Sequence, residues 1–335
     1  MTNDKENKRH AIGVDIGATF TKMVLVDEAG KILVNAKVKT PSAECGVDGF
    51  LSKLMKSVRN FLHQSKTITS EVSGIGFAVP CYVAGEEWRL TNVSNMTYLE
   101  GVALHRILEV EFGTHIAMMN DTSAAGLGEY RFGKGRGYER MFFIGIGTGI
   151  SSSFVTRAAG LVCFNWDTNG DTGHIIVDPQ GTEECPCGAR GCLESIAAAP
   201  AIKKRAMREI QAGRQTTLVD ILARKGEIDA KDVSTATRRG DQIAQEIMEK
   251  AGTALGVALT SYIHIFCPDV IVIGGGVSRS GKLIMDPAVR TINKMVSPWY
   301  KQRLKAVEIT SLGVKAGAIG SACLILYPPN HHFHR

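Results

Sequence analysis

No stretch of this sequence is long and apolar enough to span a bilayer. The longest apolar run, Ala254 to Cys267, is broken by Thr260, Ser261 and His264 and falls short of the roughly 18 residues a spanning helix needs. Met1 to His10 is polar and charged, unlike a secretory or transit leader, so a cytoplasmic location is expected and no membrane partner. No block of Lys and Arg occurs either: the net charge of +6 is modest and scattered, which argues against a nucleic-acid partner. A disulfide framework is also missing. Cys45, Cys81, Cys163, Cys267 and Cys323 stand alone, as small buried hydrophobes do. Proline is scarce, 10 residues against 36 glycines, and several of those glycines cluster just after apolar runs.

A chain of 335 residues can bury a large core and usually makes about two lobes. Ala11 to Asp15 reads as a strand, Phe20 to Asp27 as a second and Lys31 to Thr40 as a third, joined by short turns. Val47, Phe50, Leu51, Leu54, Met55, Val58, Phe61 and Leu62 follow helical spacing. Strands are expected at 74–79 and 115–119, with a small-residue helix opening after Asn120-Asp121. The second half repeats the theme: strands at 141–146 and 150–156, helices near 195–209 and 241–266, a strand at 270–273 and a closing helix at 315–326. Asp15-Ile-Gly17-Ala18-Thr19 and Gly145-Ile-Gly147-Thr148-Gly149 occupy the same strand-turn-strand place, a weak internal repeat. Two α/β lobes facing a cleft follow from it. A dinucleotide-binding fold is the competing reading, but no GxGxxG fingerprint stands at residue 13 onward.

Three glycine-rich turns carry the chemistry. In the first, backbone N–H groups and hydroxyls from Gly17 to Lys22 can meet phosphate oxygens, and Asp15 can hold magnesium through water, because that ion keeps much of its hydration shell. The second, Gly147-Thr148-Gly149, could clamp a triphosphate from the other side. After the strand at 270–273, Gly275 and Gly276 let a flat group approach the backbone, as a nucleoside would. Asn120-Asp121 has two readings: a helix cap, or a carboxylate that accepts a hydroxyl proton during phosphoryl transfer. His174, Cys185, Cys187 and Cys192 offer three thiolates and an imidazole, the donor set of a closed structural zinc site. Gly188 and Gly191 fall where a knuckle must turn tightly.

From about Ile12 to Ala322 the pattern resembles the ROK proteins (repressor, open reading frame, kinase) of the actin/hexokinase superfamily. Asp15 to Thr19 resembles the family's first phosphate loop, Asn120-Asp121 its catalytic dipeptide and Gly145 to Gly149 its second loop. Gly173-His174 followed by Cys185-x-Cys187-Gly-x-x-Gly-Cys192-x-Glu194 resembles its zinc signature. The resemblance implies a two-lobed, actin-like (ribonuclease H-like) α/β ATPase fold with a central cleft and an inserted zinc knuckle at 174–192. Residues 1–120 would form the smaller lobe, completed by a helix within 315–335, and 121–314 the larger. It implies an ATP- and magnesium-dependent kinase acting on a hexose or hexose derivative, with Asp121 as the base. Asn120, Asp171, His174 and Glu194 would contact the sugar, together with Asn95 or, instead of it, Asn92. A homodimer is the default assembly.

Three positions depart from the family pattern. Asp171 stands where glutamate is usual, Cys81 where glycine commonly follows the proline, and Ser151 to Ser153 where glycines are usual. The first two imply a reshaped sugar site, with glucose a mediocre substrate; the third implies a more hindered phosphate clamp. The competing functions are a sugar-responsive repressor, for which the few residues before the first turn leave no room for a DNA-reading helix-turn-helix, and a sugar-binding protein with weak or no catalysis.

Overall fold

The computed structural model describes residues 9–69, 71–85, 87–93, 96–164 and 167–328. The chain forms two compact units: Met1–Gly137, Ser153–Gly170 and Ser311–Arg335 make one, and Tyr138–Ser152 with Asp171–Thr310 the other.

The first unit is built on β1 (His10–Ile16), β2 (Phe20–Asp27), β3 (Ile32–Lys39), β4 (Ile75–Val79) and β7 (Ile116–Asn120), in the order β3-β2-β1-β4-β7. β1, β2 and β3 are antiparallel neighbours, whereas β1, β4 and β7 run parallel. The central strands β1 and β4 are buried almost throughout, as strands covered on both faces must be. A small hairpin of β5 (Tyr82–Ala84) and β6 (Arg89–Thr91) lies between β4 and β7 in the chain. One sheet face packs on α1 (Gly46–Lys66) through Phe50, Leu54, Val58 and Phe61. Leu104 and Leu108 of α2 (Leu104–Phe112) join the same core.

The other face meets α11 (Ala316–Leu326), a helix buried along its whole length. A methyl at Gly13 of β1 would collide with the Ala318 carbonyl, and one at Gly320 with the Ala124 carbonyl of α3 (Asp121–Phe132). Sheet and two helices therefore touch backbone to backbone. That contact places residues 121–137 with the first unit, whereas the sequence reading begins the second lobe at 121.

In the second sheet, β8 (Arg140–Ile146), β9 (Ile150–Thr156), β10 (Gly160–Val162), β11 (Val270–Gly274) and β12 (Ala306–Ile309) are ordered β10-β9-β8-β11-β12. Leaving out the β5–β6 hairpin, both sheets carry their strands as third, second, first, fourth, fifth in chain order. The weak sequence repeat is thus a repeat of topology, the actin-like α/β arrangement. The helices of the second unit are α4 (Glu194–Ala197), α5 (Ala199–Gln211), α6 (Leu218–Lys225), α7 (Ala230–Arg238), α8 (Gln242–Phe266), α9 (Lys282–Met295) and α10 (Pro298–Lys301). The side chain of Asp241 caps α8 through the Ala244 N–H, and Cys267 ends it in the left-handed conformation. The single helix expected near 195–209 is instead α4 and α5, divided at extended Ala198. Pro200 has no N–H to donate and sits in the first turn of α5, where none is needed.

Candidate functional site

The first turn is held from behind. Gly17 donates its N–H to the Phe20 carbonyl at 3.2 Å, and the Thr40 hydroxyl donates to the Gly17 carbonyl at 2.6 Å. Ala18 and Thr19 are left exposed at the tip. At the end of β1, Asp15 is nearly buried and takes an ion pair from Lys22 of β2 at 2.7 Å. β1 and β2 pair antiparallel, so Asp15 and Lys22 are direct partners in register. A carboxylate offered here suits a hydrated hard cation.

Asn120 and Asp121 stand where β7 becomes α3. The Asn120 side-chain oxygen accepts the N–H groups of Thr122 and Ser123, and its Nδ2 donates to the Cys81 carbonyl at 3.2 Å. Helix capping is therefore real, but it belongs to Asn120; one amide proton of that side chain remains for a ligand. Asp121 follows in the first helical turn, partly exposed. Loss of hydration, with the Asp15 charge nearby, pushes its carboxyl up to about 7, against weaker opposition from Thr122 and Lys22. A carboxyl with that value exchanges protons near neutrality, as a general base should.

A third carboxylate, unforeseen from the sequence, lies beside the dipeptide. Asp167 is 2% exposed, and its side chain accepts the backbone N–H groups of Asn120 and Val83. Burial pushes its carboxyl up to about 6, opposed by those hydrogen bonds. Burial, then the Asp167 charge, raises the thiol of Cys81 far above its ordinary value and that of Cys163 to about 12.

The second unit holds the other turns. Gly147 donates its N–H to the Gly149 carbonyl at 2.9 Å and accepts from Ala199 of α5 at 2.9 Å, leaving Thr148 exposed at the tip. Glu194, at the start of α4, accepts the Ile150 N–H at 2.7 Å and so secures this turn to the knuckle. A methyl at Gly149 would press on that carboxylate. After β11, Gly275 takes φ +83, and a Cβ there would strike the Ile146 backbone; Gly275 and Gly276 are exposed. Ser152 is buried and accepts the Thr172 hydroxyl at 2.8 Å. Ser153 is buried too, and its Oγ has no hydrogen-bond partner among the described residues. Of the three serines, only Ser151 keeps partial exposure.

His174, Cys185, Cys187 and Cys192 converge, with their ligand atoms all within 4.8 Å of one another. Nδ1 of His174 lies 3.4 Å from the Cys185 sulfur, and the Cys187 and Cys192 sulfurs are 3.7 Å apart. Zn–S bonds of about 2.3 Å in a tetrahedron place sulfurs about 3.8 Å apart, so the donor set and its spacing fit zinc. Asp171 is exposed just before the short 3₁₀ turn that carries His174. Asn95 lies outside the described residues; Asn92 has φ +57 and donates its N–H to Glu100.

Comparison with known proteins places this geometry. A glucokinase of Thermotoga maritima is 33% identical over 320 residues, covering 95% of this chain and 98% of the relative. The crystal structure of a ROK family glucokinase from Streptomyces griseus, in complex with glucose and AMPPNP, matches with a TM-score of 0.77 at 28% identity, over 94% of this chain and 98% of that one. A ROK family transcriptional regulator, a homologue of the Escherichia coli MLC protein, matches with a TM-score of 0.82 at 26% identity, over 95% of this chain and 78% of the regulator. The ROK family profile covers residues 11–327. The chain belongs to the ROK family.

Proposed function

We propose that this protein is a sugar kinase that transfers the γ-phosphoryl group of ATP to a hydroxyl of a hexose or hexose derivative. The observation that carries the reading is Asp121, a carboxyl with its value near 7 at a helix start, in one unit with the Asp15–Lys22 pair and the first glycine turn. The similarity to glucokinases supports it.

In this reading the first turn (Gly17, Ala18, Thr19, with Lys22) and the second (Gly147, Thr148, Gly149) bind phosphate oxygens through backbone N–H groups and hydroxyls. Gly275 and Gly276 admit the nucleoside. Asp15 would hold magnesium, which when bound neutralises phosphate charge. Asn120, Asp171, His174 and Glu194 orient the sugar, with Asn95 as a further contact. As the hydroxyl oxygen bonds to phosphorus and the bond to the leaving ADP breaks, the hydroxyl proton passes to the Asp121 carboxylate. The His174, Cys185, Cys187 and Cys192 group would hold zinc, whose closed coordination supplies no catalytic position and instead fixes the segment carrying His174 and Glu194. Two chains would associate as a homodimer.

The match to the transcriptional regulator favours a second reading, a sugar-binding or regulatory protein with weak or no catalysis. An ATP-consumption assay over a panel of hexoses, N-acetylhexosamines and cyclitols separates the two. Sugar-dependent ADP release establishes the kinase; tight sugar binding without ADP release establishes the alternative.

A further inference from the structure

Asp167 has no part in the phosphate turns, the metal group or the sugar contacts described above. It is nevertheless a buried carboxylate with no Lys, Arg or His ion pair among the described residues. Such a group is costly to bury and persists where its hydrogen bonds hold something in place. Its Oδ1 accepts the Val83 N–H at 3.4 Å and its Oδ2 the Asn120 N–H. Its own carbonyl accepts the Ser123 hydroxyl at 2.6 Å. One residue thus joins three segments of the first unit: strand β5, the junction of β7 with α3, and the 167–170 stretch. Asn120 is gripped twice, at its backbone N–H by Asp167 and at its Nδ2 by the Cys81 carbonyl.

We propose that Asp167 is a positioning residue that clasps β5 to the Met119–Asn120 peptide, one residue ahead of Asp121, and so sets the approach of the Asp121 carboxylate to a bound hydroxyl. This rests on the kinase reading. The Met119–Asn120 peptide, which fixes the backbone entering Asp121, is held by its N–H on Asp167, and burial denies that N–H a water partner. Without Asp167 the donor is orphaned and the peptide rotates to find another acceptor. A displacement of about 1 Å at a reacting group costs roughly 10²-fold in rate.

The substitutions Asp167→Ala and Asp167→Asn test it. Alanine removes both acceptors. Asparagine keeps one carbonyl oxygen and turns an amino group toward the other N–H donor. The expected result is a graded fall in kcat, roughly 10²-fold for alanine and less for asparagine, with KM for ATP moving less than about threefold, because nucleotide binding is untouched. A merely structural role would lower thermal stability without this kcat-specific grading. Wild-type kcat in Asp167→Ala overturns the proposal. Backbone amide exchange gives a readout that needs neither turnover nor a folded variant: in the wild-type protein the Asn120 and Val83 amides should be among the slowly exchanging ones. Free exchange at both overturns the clasp. A wild-type protein that phosphorylates nothing defeats the kinase reading, and the exchange measurement then decides the clasp by itself.

Discussion

The two glycine turns are the same piece of backbone used for different electrostatics. Both follow a seven-residue strand and hold three residues before the next strand begins. In the first unit the penultimate residue of the leading strand is Asp15, paired with Lys22; in the second it is Gly145. The second turn has no charge of its own at that place, and its one carboxylate, Glu194, accepts the Ile150 N–H. Duplicated topology therefore does not mean duplicated chemistry. One copy carries the ionisable groups and the dipeptide; the other is a neutral backbone turn braced by Glu194, next to the cluster of His174, Cys185, Cys187 and Cys192.

The largest expected effect breaks the charged copy. Asp121→Asn should lower kcat by roughly 10²–10⁴-fold, the usual scale for loss of a general base, while nucleotide binding measured by calorimetry persists. Turnover near wild type would leave Asp121 as a helix residue alone. The pH profile sharpens this. The Asp121 value of about 7 in the folded chain lies above that of a free carboxyl, so the folded state binds its proton more tightly. Its contribution to stability is complete at acid pH and is lost as pH rises through 7, while the catalytically competent carboxylate grows over the same window. Turnover should rise, and Tm fall, from about pH 5 to pH 7.5. Asp121→Asn should remove its share of the slope in Tm; Asp167, raised in the same direction, leaves a smaller residual slope.

Next in size is the difference between Asp15 and Gly145. Asp15→Asn should lower kcat/KM by about 10²-fold, the scale of losing one electrostatic contact to a transferring group, with partial recovery at high magnesium. Equal loss with no magnesium dependence would show that Asp15 serves only its pair with Lys22.

The third test falls on the braced copy. The purified protein should carry one zinc per chain by elemental analysis. Stripping it with a chelator should lower Tm by several degrees, as loss of a ligand bound only to the native state must. Protein without zinc and with unchanged Tm would leave the four side chains without a metal role.

The smallest effect concerns the sugar. Aspartate at 171 reaches about 1.5 Å less than glutamate, and an unmade hydrogen bond costs on the order of 1–3 kcal/mol. Glucose should therefore be a mediocre substrate, and Asp171→Glu should shift the kcat/KM ratio toward it by about tenfold. A wild type that prefers glucose, unchanged by the substitution, removes the argument from side-chain length.

Much of this was legible in the sequence because it is local. The strand-turn-strand pairs and the end of α8 ahead of Cys267-Pro268 are written in neighbouring residues. So is the cysteine cluster. Helices α2, α6, α7, α9 and α10 went unread: four of them are short, and α9 carries Pro287 within it. Asp167 was illegible for another reason. Its hydrogen-bond donors, Val83 and Asn120, are distant in sequence, and no spacing rule links them to it. The serines after the second turn show the same limit, since Ser152 and Ser153 are hidden only once the sheet is assembled.

The placement of α11 has a consequence for the order of synthesis. This helix covers one face of the first sheet, and backbone-to-backbone contact at Gly13 and Gly320 leaves no room for another element to stand in. Until Ala316 to Leu326 has left the ribosome, Val24, Val26 and Ala11 have no cover. The segment between Gly137 and Ser311 takes on the order of ten seconds or more to translate at about 5–20 residues per second. Throughout that interval the growing chain exposes an apolar sheet face, and the second unit, which runs to Thr310, is itself complete only at its end. A chaperone that meets the nascent chain would therefore meet its N-terminal half.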